Sequence, residues 1–283
     1  MNSMKIKWTN ALFNLRNFLK IDIILVMACC FLAACTTSKP NRVQKADPCT
    51  QNTKLTGGTT FTSNSGGNVT LSGSPYGYEM WTESGNNNRL TWYGANQGGG
   101  AAFKTEWNNP KVFLGRVGYF WNEGKPYTDY KNVYCDFNYA RSANGTAGGY
   151  SYIGIYGWSK NPMIEWYIVE DWFGDGIIGP AIMGNETTKK GEFTVDGATY
   201  FVYEATRPAG SGNIEDTNDP FPQFFSIRQT RRQCGTISIT EHFKEWEKLG
   251  MKLGSNMYEA KFLVEAGGGT GWLDASYLSF YMK

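Results

Sequence analysis

From about Tyr76 onward the chain is written in short apolar and aromatic runs, separated by glycine, asparagine and proline. "RLTWYG", "AAFKTEW", "NVYCDFNY", "SYIGIYGW", "IEWYIVEDWF", "ATYFVYEATR", "FFSIRQT", "EAKFLVE" and "ASYLSFYM" are rich in β-branched and aromatic residues and read as strands. One segment breaks the pattern. In "TEHFKEWEKLG", Phe243 and Trp246 fall three apart, Thr240 is placed to cap a helix and Gly250 to end it. No unit of 20–50 residues repeats, which argues against a propeller or solenoid. Strands interrupted by a single helix predict one all-β domain over 71–283, a closed jelly roll.

The N-terminus follows a different rule. Lys5, Lys7, Arg16 and Lys20 precede an apolar run, Ile23–Ala34, that is too short to span a bilayer. It ends in "LAAC", Leu32 to Cys35, which resembles the lipobox of bacterial lipoproteins. The resemblance implies a signal peptide over 1–34, lipidation of Cys35, export and a membrane anchor. Thr36, not Asp, follows the cysteine, so the outer membrane or cell surface is expected. Residues 35–70, rich in Thr, Ser, Asn and Gly, read as a flexible linker, with "NVTLSG" at its end open to being a first strand.

Composition narrows the function. The 10 Trp and 17 Tyr exceed the needs of a core and suit a surface for flat amphipathic ligands such as sugar rings. A net charge of +2 without a basic run argues against a nucleic-acid partner. Cys49, Cys135 and Cys234 lie outside the leader, without CxxC spacing or a histidine partner, so no metal site is expected. A disulfide between two of them suits an exported protein, with the pair left open. The only histidine, His242, lies in the helix and reads as structural, which speaks against a Ser-His-Asp triad.

The chemistry is sought in "PMIEWYIVE", residues 162–170. Alternation puts Glu165, Tyr167 and Val169 on one face, and Trp166, Ile168 and Glu170 on the other. Glu170 reads as structural. A second strand glutamate, Glu265, ends "EAKFLVE" a hundred residues later. Two carboxylates flanking one bond are what glycoside hydrolysis needs.

From Tyr76 to Met282 the chain resembles glycoside hydrolase family 11, the small jelly-roll endo-β-1,4-xylanases. The resemblance rests on "YGWSKNPMIEWYIVEDWFG", on "SIRQTRRQCGTISITEHFKEWEKLGMKLGSN" and on "EAKFLVE", in the family's order and near its spacings. It implies two curved antiparallel sheets, a single α-helix and a thumb loop. It also implies retaining hydrolysis of β-1,4-xylosidic bonds in xylan or xylo-oligosaccharides, by a monomer without a cofactor. By the same resemblance Glu165 is the nucleophile and Glu265 the general acid/base. Tyr156 and Tyr167 bond the nucleophile, which should hold its pKa low. Arg207 stands at the base of the thumb, Gln223 lines the proximal subsites, Trp81 stacks on xylose and Trp158 lies beside the cleft. The expected carboxyl separation is about 5–5.5 Å.

Departures cluster around Glu265 and the thumb. The family's Asn or Asp beside the acid/base falls on Val112 or on Lys111, according to the alignment. A family tyrosine falls on Glu259, next to Tyr258, and an aromatic falls on Gly267. "RPAGSGNIEDTNDPFPQ" lacks the family's Pro-Ser-Ile tip. These losses keep two alternatives in view: a surface-tethered xylan-binding protein with reduced catalysis, and a retaining endo-glucanase of similar fold.

Overall fold

The computed structural model describes residues 45–122, 124–174 and 187–283. The expected signal peptide, 1–34, and the lipidation site, Cys35, lie outside the described residues. The strands in chain order are β1 (Thr59–Phe61), β2 (Ser65–Thr70), β3 (Tyr76–Glu83), β4 (Arg89–Trp92) and β5 (Phe103–Asn108). They continue with β6 (Val112–Phe120), β7 (Val133–Ala143), β8 (Ser151–Lys160), β9 (Ile164–Asp171) and β10 (Thr187–Val195). The last five are β11 (Ala198–Arg207), β12 (Phe221–Arg228), β13 (Cys234–Ile237), β14 (Asn256–Ala266) and β15 (Thr270–Met282). Helix α1 (Ile239–Lys248) is the one α-helix among the described residues.

Two sheets form, one ordered β1-β4-β5-β15-β7-β13 and the other β10-β11-β12-β9-β8-β14-β6-β3-β2. Neither closes on itself, so the jelly roll is open rather than closed. Nor are the sheets wholly antiparallel: β12 runs parallel to β9, with Gln223 opposite Glu165. The cause is topological. The meander β10-β11-β12 folds back so that its last strand, not its first, lies against β9.

The main core lies between the sheets and takes alternate side chains from each, including Phe103, Phe137, Trp166, Ile168 and Phe262. A second apolar cluster covers the other face of the nine-stranded sheet, with Tyr152, Tyr167, Val169 and Phe225. Every residue of β9 is therefore buried, which explains the near-continuous apolar run around Glu165. Glu170, on the core side, accepts from Tyr200 Oη at 2.6 Å and from Arg232 Nε, as befits a structural carboxylate.

One local expectation changes. Helix α1 starts at Ile239 with Ser238, not Thr240, in the cap position. Ser238 makes no capping bond because its hydroxyl bonds Asp196 Oδ1 at 2.6 Å, while Thr240 Oγ1 accepts from Val133 N at 2.8 Å. His242 is buried against Phe193, Tyr200 and Trp246, and burial pushes its pKa well down, as expected of a structural histidine.

The expected linker over 35–70 is folded where it is described. A Cys49–Cys234 disulfide ties its start to β13 and leaves Cys135 buried and free. Strand β1 pairs with β4, β2 pairs with β3, and Phe61 stacks on Tyr78 at 3.8 Å. Thr- and Ser-rich composition serves an exposed edge strand as well as a tether.

Candidate active site

The uncovered part of the nine-stranded sheet holds a cleft of about 470 Å³. All eight residues expected there from the sequence line it, drawn from β3, β8, β9, β11, β12 and β14. Glu165 sits near the start of β9, opposite Trp158 on β8 and Gln223 on β12. Glu265 sits near the end of β14, opposite Tyr152 on β8 and Leu114 on β6.

Glu165 is held on both oxygens. Oε1 accepts from Tyr156 Oη at 2.7 Å and Tyr167 Oη at 3.1 Å, and Oε2 accepts from Gln223 Nε2. Trp158 Nε1 in turn donates to Tyr156 Oη at 2.5 Å. The Trp158 ring is buried against Phe221, so its part is to orient Tyr156 rather than to offer an open platform. Trp81 is the reverse case: 40% exposed, with a face free for stacking. Arg207 lines the cleft, and its charge favours the ionised form of both glutamates.

Tyr167 Oη also lies 3.4 Å from Glu265 Oε2, so the two carboxylate oxygens it touches are at most 6.5 Å apart, 3.1 plus 3.4 Å. This limit agrees with the 5–5.5 Å of a retaining pair and sits at the bottom of the inverting range, about 6.5–9.5 Å. A phenol carries one proton and can donate to only one of the two. The charge of the pair belongs on Glu165, which has three donors, and the proton on Glu265.

Electrostatics points the same way, with one correction. Burial pushes Glu265 up to about 7, and the neighbouring Glu165 charge adds to the rise. Hydrogen bonds were expected to keep Glu165 low. Instead burial raises it above the usual carboxylate value, against the pull of Tyr156, Gln223, Arg207 and Tyr167. Desolvation of a fully enclosed strand outweighs three neutral donors.

The departures acquire physical explanations. The residue across from Glu265 is Leu114; Val112 lines the same cleft two residues before it, and Lys111 pairs with Glu83 at 2.5 Å. At Gly267 a Cβ would meet the Tyr150 ring at 2.5 Å, and Tyr150 Oη donates to Glu265 Oε1 at 3.2 Å. An aromatic thus reaches Glu265 from β8's entry instead of from position 267, which reading one strand at a time could not show. In the thumb, 208–220, Asn213 Oδ1 accepts from Glu215 N and Thr217 N, and Ile214 packs toward the cleft. The tip is built without a Pro-Ser-Ile sequence. Also missed were Glu79 and Arg116, both lining the cleft, and the buried pair Glu259–Lys261 behind them. Period-two counting back from Glu265 puts Lys261 and Glu259 on the cleft face, the one signal available.

Among the described residues no cluster of His, Cys, Asp and Glu could hold a metal ion. Residues 73–276 match the family model described as glycosyl hydrolases family 11. The chain is 46% identical over 210 residues to endo-1,4-beta-xylanase C of Fibrobacter succinogenes, covering 74% of this chain and 32% of that protein. It is 43% identical over 248 residues to endo-1,4-beta-xylanase S20 of Neocallimastix patriciarum, covering 87% and 68%. The crystal structure of an ENZbleach xylanase mutant superposes with a TM-score of 0.80 at 56% identity, covering 87% of this chain and 94% of that one. This chain thus spans about a third of the Fibrobacter protein it matches.

Proposed function

The chain belongs to family 11 of the glycosyl hydrolases, and on that premise we propose that it is a retaining endo-β-1,4-xylanase acting on xylan through Glu165 and Glu265. The observation that carries this reading is the pair of buried carboxylates bridged by one tyrosine hydroxyl, in a cleft edged by the exposed Trp81.

The geometry supplies each step. Tyr156, Tyr167 and Gln223 fix Glu165 so that it attacks the anomeric carbon in one orientation. Glu265, protonated below about pH 7, gives its proton to the departing glycosidic oxygen as that bond breaks. Once Glu165 is esterified its charge is gone, and the Glu265 pKa falls. Glu265 then takes a proton from the incoming water, which attacks the anomeric carbon and frees Glu165. Two displacements give net retention, and no cofactor enters.

Reducing-sugar release from xylan, mixed-linkage glucan and cellulose, with the product anomer read by proton NMR, tests this. Xylan hydrolysis to the β-anomer is expected, abolished in Glu165→Gln with binding kept. Residual activity within tenfold of wild type would show that Glu165 is not the nucleophile.

We further propose that the chain is exported and held at the outer membrane or cell surface by lipid on Cys35, and works there as a monomer. The ordered basic, apolar and small-residue sequence before Cys35 supports this, as does a disulfide in the folded part, which suits an oxidising compartment. Wild type should fractionate with membranes and Cys35→Ala should not. A wild-type protein that stays soluble and unlipidated by intact mass would sink the anchor and leave the xylanase reading standing.

A further inference from the structure

Glu79 stands two residues before Trp81 on β3, and alternation brings both side chains to the cleft face. Its Oε2 accepts from Arg116 Nη2, directly across the strand pair. Its Oε1 has no hydrogen-bond partner among the described residues, and the side chain stays 23% exposed at the cleft wall.

What lies behind Glu79 sets it apart from an ordinary surface ion pair. Arg116 is almost wholly buried; its Nη2 is 3.1 Å from Glu259 Oε1, and its guanidinium sits 4.2 Å from the centre of the Tyr156 ring. Glu259 Oε2 accepts from Lys261 Nζ at 2.6 Å, and that ammonium also donates to Gly67 O at 2.7 Å. Two cations and two carboxylates balance, so the network is neutral, and buried partners hold Arg116 from behind. An exposed carboxylate paired to one flexible lysine would swivel; this one is fixed, with one oxygen left for a ligand. A carboxylate is acceptor-only, and the donors a glycan offers are ring hydroxyls. A hydrogen bond to a charged acceptor is stronger than a neutral one.

We propose that Glu79 is a sugar-binding residue: its free Oε1 accepts hydrogen bonds from ring hydroxyls of the unit stacked on Trp81, with Arg116 as its positioning residue. The proposal rests on the xylanase reading for the identity of the sugar. It also assigns a selectivity, since a unit acylated at those hydroxyls has no proton to donate.

The test measures binding, with catalysis removed. Calorimetric titration of xylohexaose into Glu165→Gln is compared with the same titration into Glu165→Gln/Glu79→Ala and Glu165→Gln/Glu79→Gln. The alanine variant should bind about 10–100-fold more weakly, the range of a hydrogen bond to a charged group. The glutamine variant must turn its one carbonyl oxygen to Arg116 and leaves an amide nitrogen, a donor, where Oε1 stood, so it should also bind at least about tenfold more weakly. A merely structural ion pair predicts that melting temperature drops while affinity holds. Affinity within twofold of the parent in either variant would overturn the proposal. Hydrolysis is not read here, so an inactive wild type would count against the proposed activity and not against Glu79.

Discussion

Replacing Glu265 by glutamine should stabilise the protein at alkaline pH while removing its acid catalyst, and both effects have one cause. The carboxyl is raised from an ordinary 4.5 to about 7 by burial and by the Glu165 charge. Below about pH 4.5 the folded and unfolded chains both carry the proton and this group costs nothing. Between 4.5 and 7 the unfolded chain releases the proton while the folded one keeps it, so stability falls as pH rises. Above 7 both are ionised and the loss is complete. At 1.36 kcal/mol for each pH unit of difference, the loss comes to about 3 kcal/mol. Glutamine keeps the shape and has no proton to lose. The stability of Glu265→Gln relative to wild type should therefore rise by about 3 kcal/mol between pH 4 and pH 8. For a domain this size that is roughly 6–12 °C in Tm. Urea unfolding of both proteins at the two pH values measures it, and the remaining titrating groups largely cancel in the double difference. A relative stability independent of pH would show that Glu265 is not held neutral by its surroundings, and the acid assignment would lose its physical basis.

Three other outcomes are expected. Because the acid must be protonated in the free enzyme, kcat/KM on xylan should fall about tenfold per pH unit above roughly pH 7, and an alkaline limb beyond pH 9 would contradict the raised Glu265. Trp81→Ala should weaken xylo-oligosaccharide binding by about 1–3 kcal/mol, since the ring is exposed and free to stack; unchanged affinity would remove it from the subsite. Cys234→Ala should cost up to about 5 kcal/mol by the chain-entropy estimate for a bridge spanning 185 residues, and a loss under 1 kcal/mol in denaturant titration would show that the bridge adds nothing through loop closure.

Much of this molecule is legible in its sequence because a strand buried on both faces has few ways to be written. "IEWYIVED" is β9 residue for residue, and Glu165 stands out because both residues beside it, Ile164 and Trp166, are large and apolar. What failed to show were features whose sequence is ambiguous. A Thr- and Ser-rich edge strand reads as a tether until a partner such as β3 or β4 is known. The parallel pairing of β9 with β12 depends on where a distant meander returns, which no local pattern encodes. Nothing in the local sequence marks Arg116, Glu259 and Lys261 for burial; their meeting on adjacent strands lets them be buried together.

The gaps around Glu265 carry the sharper lesson. Compared by position alone, Gly267 is a lost aromatic and Glu259 a lost tyrosine, which together suggested a failing acid/base. In space, the room above Gly267 is taken by Tyr150, whose hydroxyl bonds the same carboxyl. At Glu259 the pairing with β8 slips by one residue between Met257 and Glu259, and Tyr258 joins the aromatic cluster that covers the cleft face. A bulge inserts one residue and can turn two neighbours toward one side, so a tyrosine is recovered next door while the glutamate goes into the charge network. Close to Glu265 the aromatic side chain is therefore Tyr150, supplied from the entry of β8 rather than from position 267. Burial raises Glu265 and the Glu165 charge adds to the rise, while the Tyr150 hydroxyl pulls the carboxyl back down.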